Sequence, residues 1–164
     1  MHVDRDTDML GLMRMAERIK EGVDKVLLGV PRGKMAGERQ ADGSIVESTD
    51  TTLATVAAAN EFGVPELDIP ERSFLRAAIT ENKDYFSKVN GDSLKKCLRG
   101  EMDEETALKR LGVAGVGKVQ AKIIEGPFVP NAPETIARKH SSRPLTDIGQ
   151  LRQGVVFKIP GEGE

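Results

Sequence analysis

Residues 111–124 read LGVAGVGKVQAKII, and the reading of this stretch decides how the rest of the chain is assembled. Gly112, Gly115 and Gly117 stand close together, with Val116, Val119, Ile123 and Ile124 among and behind them. Glycine inside a helix costs about 1 kcal/mol relative to alanine. The spacing therefore predicts a hairpin between two packed helices, the second running to about Gly126. A helix-hairpin-helix can present free backbone N–H groups to a phosphate. Gly115 and Gly117 would free those amides, and Lys118 and Lys122 would add charge. The bland alternative is a bend, with Leu108 and Leu111 packing inward before it and Val116, Val119, Ala121, Ile123 and Ile124 after it.

The surrounding chain favours the bend. Its 164 residues carry 24 Lys and Arg against 26 Asp and Glu, a formal net charge of −2, so no basic field draws it to nucleic acid. A single phosphate contact binds weakly at physiological salt. Among the basic residues the densest group is Arg138, Lys139, His140 and Arg143, where only Phe128 is near enough to stack on a base; this group reads as a solvated loop or as a contact for an acidic partner.

Catalytic readings find little to stand on. The only histidines, His2 and His140, have no carboxylate or cysteine at ligand spacing, and the lone Cys97 rules out an intrachain disulfide framework or cysteine metal cluster. Ser141 and Ser142 beside His140 are adjacent in sequence, which is not the geometry of a triad. Asp103, Glu104 and Glu105 fit the N-terminus of a helix, where the dipole favours carboxylates. The glycines follow a helix instead of a strand, unlike a dinucleotide fingerprint. The expectation is a non-enzyme without metal or cofactor. The N-terminal MHVDRDTDML lacks the pattern of a secretory signal, and no apolar run nears the roughly 20 residues of a membrane span.

Along the chain, Thr7 caps an expected first helix that ends at Gly22. Residues 26–30 and 155–159 read as two apolar strands, paired at the centre of one small sheet. Residues 32–50 read as a protruding polar arm or hairpin, turning at Asp42–Gly43. A helix is expected over 52–61, closed by Gly63 in the left-handed conformation. Two prolines bracket the following link, and Pro70 sits near the start of a helix carrying Phe74, Leu75, Ala78 and Ile79. That pattern continues through Tyr85, Phe86 and Val89, breaks at Asn90–Gly91 and resumes at Leu94. Asp103 caps the next helix. A helical turn at 133–139 precedes the last strand. The fold class expected is α+β: a small, mainly antiparallel sheet packed against several helices, in a single domain over 1–164 with a flexible tail at 160–164.

Two separated stretches then carry a resemblance. AAANEFGVPELDIPERSFLRAAI (57–79) is similar to a pattern Glu-Phe-Gly, short loop, Ile-Pro-x-Arg-x-Phe-Leu-Arg. GPFVPNAPETIARKHSSRPLTDIGQLRQGVVFKI (126–159) is similar to Pro-Asn-x-Pro-x-Thr-Ile-x-Arg-Lys, followed by Pro-Leu-x-Asp-x-Gly-x-Leu and a strand. Together they resemble the tail-completion or neck proteins of tailed bacteriophages and prophages, also described as minor tail or virion morphogenesis proteins. The match covers 50–80 and 105–159. It departs at Ile148, where the family has Thr, and at Gly154, where it has Ser.

The resemblance implies a structural virion protein made in the host cytoplasm. It would form a ring, hexameric by the symmetry of tails, that completes or terminates the tail and joins it to the head connector. Its partners would be further copies of itself, the connector, and tail-tube or sheath proteins, with DNA sliding through the lumen unread. The residues expected at subunit or partner contacts are Arg39 and Ile45 on the arm; Glu61, Arg72, Phe74 and Arg76 about the proline-bracketed loop; and Phe128, Asn131, Arg138 and Lys139 in the proline-rich stretch. For these residues intramolecular packing is the competing assignment, with Phe62 and Phe74 expected in the core. The alternative function is a small DNA-binding module acting through Gly115, Gly117, Lys118 and Lys122.

Overall fold

The computed structural model describes residues 13, 14, 17, 25–40, 42–139 and 141–160, without the side chain of Arg138. The helix expected from Thr7 to Gly22 falls almost wholly outside these residues, as do His2, His140 and residues 161–164. The fold is α+β, with six helices and two small antiparallel sheets of two strands each among the described residues. The strands and helices are β1 (Leu27–Gly29), β2 (Met35–Arg39), β3 (Ile45–Thr52), α1 (Leu53–Phe62), a 3-10 turn (Pro65–Leu67), α2 (Leu75–Glu81), α3 (Lys83–Leu98), α4 (Glu104–Glu125), α5 (Pro133–Lys139), α6 (Gln150–Gln153) and β4 (Val156–Lys158). The two apolar strands do pair, as β1 with β4, but β2 and β3 form a separate ribbon instead of joining them in one sheet.

The opening stretch is not a hairpin. Residues 111–124 lie inside α4, one continuous helix of 22 residues. Its glycines serve close approach. A Cβ on Gly112 would run into the Phe157 ring, and one on Gly115 would meet Leu28 Cδ1 at 2.5 Å. Gly117 has open space around it. The helix tolerates three glycines because two of them let it lie directly against the β1 and β4 side chains. The apolar face that follows is narrower than expected: Val119 and Ile123 are buried, while Ile124 is exposed.

The chain packs into two compact units. Of the described chain, the first takes in residues 13, 14, 17, 25–28, 83–115 and 157–160. Here α3 runs unbroken through Asn90 and Gly91; the interruption falls earlier, at Asn82, between α2 and α3. One glycine in the middle of a 16-residue helix costs too little to end it. After α3 the chain turns at Gly100 (φ +69°), whose N–H donates to the Cys97 carbonyl at 3.0 Å. Asp103 then caps α4 as expected, its Oδ1 accepting from Thr106 N–H at 2.7 Å. That bond holds the Asp103 carboxyl below its ordinary pKa.

The second unit comprises residues 29–82 and 116–156 and holds the main core. Leu53, Ala57, Phe74, Ala78, Val119, Ile123, Leu145, Leu151 and Val155 form it, with Val30, Leu75, Val116 and Phe128 packed against it. Full burial of Phe74 alone contributes about 2–3 kcal/mol. Thr52 caps α1, its hydroxyl accepting from Thr55 N–H at 3.2 Å. Gly63 closes α1 with φ +73° but ψ 162°, so it is not the left-handed cap expected. A Cβ there would sit 2.9 Å from Glu71 N, which leaves glycine as the residue that fits. Pro70 lies five residues before α2, in the extended link and not at the helix start. The 32–50 arm is indeed a hairpin, turning at Gly43 (φ +85°) with Ser44 N–H donating to Asp42 Oδ1 at 2.9 Å. Its base is tied down, however, by residues 147–150 of the same unit.

Candidate functional site

The residues that sequence singles out converge in the second unit, on a set of buried polar contacts beside a groove. Glu61 is the centre. It is the penultimate residue of α1, and burial alone would push its carboxyl pKa up. Five hydrogen bonds reverse that. Oε2 accepts from the Phe74 and Leu75 amides, both at 2.8 Å. Oε1 accepts from the Arg76 amide at 3.0 Å, from Ser73 Oγ at 2.8 Å and from Arg76 Nε at 2.9 Å. The net effect is a pKa below the ordinary glutamate value. A single carboxylate thus satisfies the orphan donors at the start of α2.

Arg76, half-exposed, binds Glu61 and reaches Glu71 Oε1 at 2.7 Å, and its guanidinium stacks 4.7 Å from the centre of the Phe62 ring. Its pKa is raised by the Glu61 bond. Phe62 is 62% exposed and not in the core, because the ring lies outside under Arg76. Arg72 is buried and does a different job. Its Nε donates to the Val129 carbonyl at 2.9 Å, Nη2 to the Pro130 carbonyl at 3.1 Å and Nη1 to Asn60 Oδ1 at 3.3 Å. Burial lowers its pKa, yet an arginine stays charged. One guanidinium therefore pins the proline-rich loop to α1. Asn131, also buried, extends the tie by donating to the Arg143 carbonyl at 3.2 Å.

The hairpin is held on a second set of contacts. Gln150 accepts from Gly37 N–H at 2.6 Å and donates to the Met35 carbonyl at 3.3 Å. Arg39 pairs with Asp147 at 3.1 Å and also donates to the Gly43 carbonyl. Between these two sets runs a groove of about 1110 Å³, bordered by β2, Asn60, Leu67, Arg72, Asn131 and Lys139.

The predicted contact residues therefore divide. Glu61, Arg72, Phe74 and Asn131 are buried and hold the unit together, and Phe128 packs partly against the core. Arg39 and Lys139 border the groove, and Ile45 is exposed on β3. The Arg138 side chain lies outside the described residues. In the DNA alternative, Gly115 and Gly117 are interior to a helix, so their amides are not at a helix start as that reading requires. Lys122 Nζ is held by both oxygens of Glu81, at 2.6 and 2.8 Å; Lys118 lies on the same helix, half-buried.

Sequence reading missed Asn60, Asp147 and Gln150 as structural anchors. Asn60 carries a faint signal, a polar residue directly after an alanine run; Gln150 carries none, since its partner Gly37 is 113 residues away. Among the described residues no group of three or more His, Cys, Asp or Glu is placed to hold a metal ion, and no helix is long and apolar enough to cross a membrane. The chain matches no protein-family model, no curated protein and no solved structure.

Proposed function

We propose that this chain is a non-enzymatic structural protein of a tailed-phage virion, a ring-forming subunit of the neck that completes or terminates the tail and joins it to the head connector. One observation carries the reading beyond the motifs themselves. The two stretches that resemble the neck family are separated by 46 residues (80–125) in sequence, and they meet at Arg72, whose guanidinium binds the carbonyls of Val129 and Pro130. The Arg of Ile-Pro-x-Arg and the loop before Pro-Asn-x-Pro then have a single physical reason to occur together. The interior role of Glu61 explains the acid of Glu-Phe-Gly in the same way. The near-neutral charge supports a lumen that lets DNA slide. Residues 147–150 fit as well: the Asp-x-Gly turn places Asp147 on Arg39 and Gln150 on the β2 backbone.

The test is made on particles. Mass measurement of purified virions is expected to find the chain at a few copies each, and deletion of its gene to leave heads and tails unjoined. Virions that lack the protein, together with normal joining in the deletion, would sink the reading.

A further inference from the structure

Arg72 carries a charge that no carboxylate of the described chain neutralises. The residue is 7% exposed, and burial lowers its pKa with no neighbouring carboxylate acting against that. An unpaired cation is costly to bury, and buried charges are as a rule paired. Arg39 and Arg76 follow that rule, pairing with Asp147 and Glu61. Arg72 instead makes three hydrogen bonds, all to uncharged oxygens. A guanidinium has five N–H donors, so one N–H on Nη1 and one on Nη2 remain.

Those two nitrogens belong to the groove. Their partners, Asn60 and Pro130, both border it, whereas Val129, the partner of Nε, does not. Asn131 borders it too, is likewise 7% exposed, and turns its amide nitrogen to the Arg143 carbonyl. Its Oδ1 accepts from no donor among the described residues. The backbone at the groove is also strained. Among the described residues two that are not glycine have positive φ, Asp68 (+53°) and Leu145 (+58°), and both border it. Aspartate tolerates that conformation, but for a buried leucine it is costly, and such strain gathers where ligands are held.

We infer that the groove binds an extended segment of a partner protein through an acidic side chain, whose carboxylate sits on the two remaining N–H groups of Arg72 while a neighbouring backbone N–H of the segment donates to Asn131 Oδ1. Charge complementarity at Arg72 selects the carboxylate. Asn131 Oδ1 asks for a donor, which a peptide has and a free carboxylate lacks. Size selects a length of chain: at about 1110 Å³ the groove exceeds the roughly 300–1,000 Å³ of pockets that enclose a small molecule. Leu53, Leu67 and Ile69 give it apolar wall for the flanking side chains. Glu38, Asp68 and Glu134 also border it, but all three are exposed and screened by solvent, and Asp147 is taken up by Arg39. This contact does not rest on the neck reading, since any partner with such a segment fits it.

Nuclear magnetic resonance of the full, unaltered, nitrogen-15-labelled chain tests this with three probes: the blocked tripeptide acetyl-Ala-Glu-Ala-amide, its glutamine counterpart acetyl-Ala-Gln-Ala-amide, and sodium acetate, each up to about 10 mM. The glutamate peptide is expected to shift the Arg72 Nε–H and the amides of Asn131 and Ala132. It is expected to bind about tenfold more tightly than the glutamine peptide, because a charge-assisted pair replaces a neutral one. It should also bind more tightly than acetate, which has no N–H for Asn131. Asn131→Ala is expected to bring the peptide down to the acetate level and to leave acetate binding as it was. Equal binding of the two peptides overturns the inference, as does an Arg72 signal that no probe moves. Acetate binding as tightly as the glutamate peptide overturns it too, since the site would then hold only a free anion. The decisive comparison is made on the unaltered chain, so a destabilised variant cannot imitate any of these results, and the virion measurement still judges the neck reading separately.

Discussion

At the scale of single residues, Glu61 is the buried carboxylate expected to contribute to acid stability. Its folded pKa is depressed, so its contribution is present above the unfolded value of about 4.3 and is lost as the pH falls through the lower folded value. Unfolding free energy measured by denaturant titration is expected to decline as the pH drops below about 4.3. Glu61→Gln is expected to flatten that acid limb and to cost about 2–3 kcal/mol at neutral pH, because an amide cannot accept from all five donors at once. An acid limb unchanged by the substitution would assign the pH dependence to another carboxylate. Arg72 gives a second prediction. Lysine keeps the charge but cannot reach Val129, Pro130 and Asn60 with one planar fork. Arg72→Lys is therefore expected to lower stability by about 1–3 kcal/mol, with faster hydrogen exchange concentrated at residues 126–132. Uniformly faster exchange would mean the arginine has no special hold on that loop.

At the scale of elements, α4 separates what sequence can reveal from what it cannot. Local signals served well: the Asp103 cap, the Asp42–Gly43 turn, the helix over 133–139 and both terminal strands were all legible, since each depends on neighbours a few residues away. The glycines of 111–124 misled for the opposite reason. Propensity argues for a break, and what overrides it is a ring and a leucine from strands far along the chain. The groove was legible in its parts but not as a whole. Arg39, Arg72 and Lys139 could be picked out as polar residues in proline-rich or glycine-rich settings, but nothing in their sequence spacing says that Arg72 turns inward while Arg39 lines a rim. Two of the three helix glycines now make opposite predictions. Gly117→Ala meets nothing within 4 Å and is expected to raise stability by about 0.5–1 kcal/mol. Gly112→Ala gains the same helix propensity but drives a methyl into the Phe157 ring, for a net loss of about 1–3 kcal/mol. Thermal melting of the two variants decides it, and shifts of the same sign would contradict the packing described.

At the scale of the whole molecule, charge and geometry bear jointly on nucleic acid. A protein that holds DNA by its phosphates needs several cations on one face, each releasing counterions. Here the net charge is −2, and the cations nearest the former hairpin are engaged or lie on a helix flank: Lys122 is clamped by Glu81, and Lys118 is half-buried on α4. Elsewhere, Arg39 is spent on Asp147 and Arg72 on backbone carbonyls. The neck role proposed above points the same way, since in a lumen that passes DNA every phosphate contact would slow the moving duplex. The full chain is therefore expected to leave duplex DNA unretarded in a gel at about 10⁻⁵ M protein and physiological salt, where ordinary non-specific binders with dissociation constants of about 10⁻⁴ to 10⁻⁶ M already begin to shift it. Lys118→Glu should change nothing in that assay. Retardation that weakens with salt and disappears in the Lys118→Glu protein would instead make α4 a DNA-contacting helix and would revive the nucleic-acid reading.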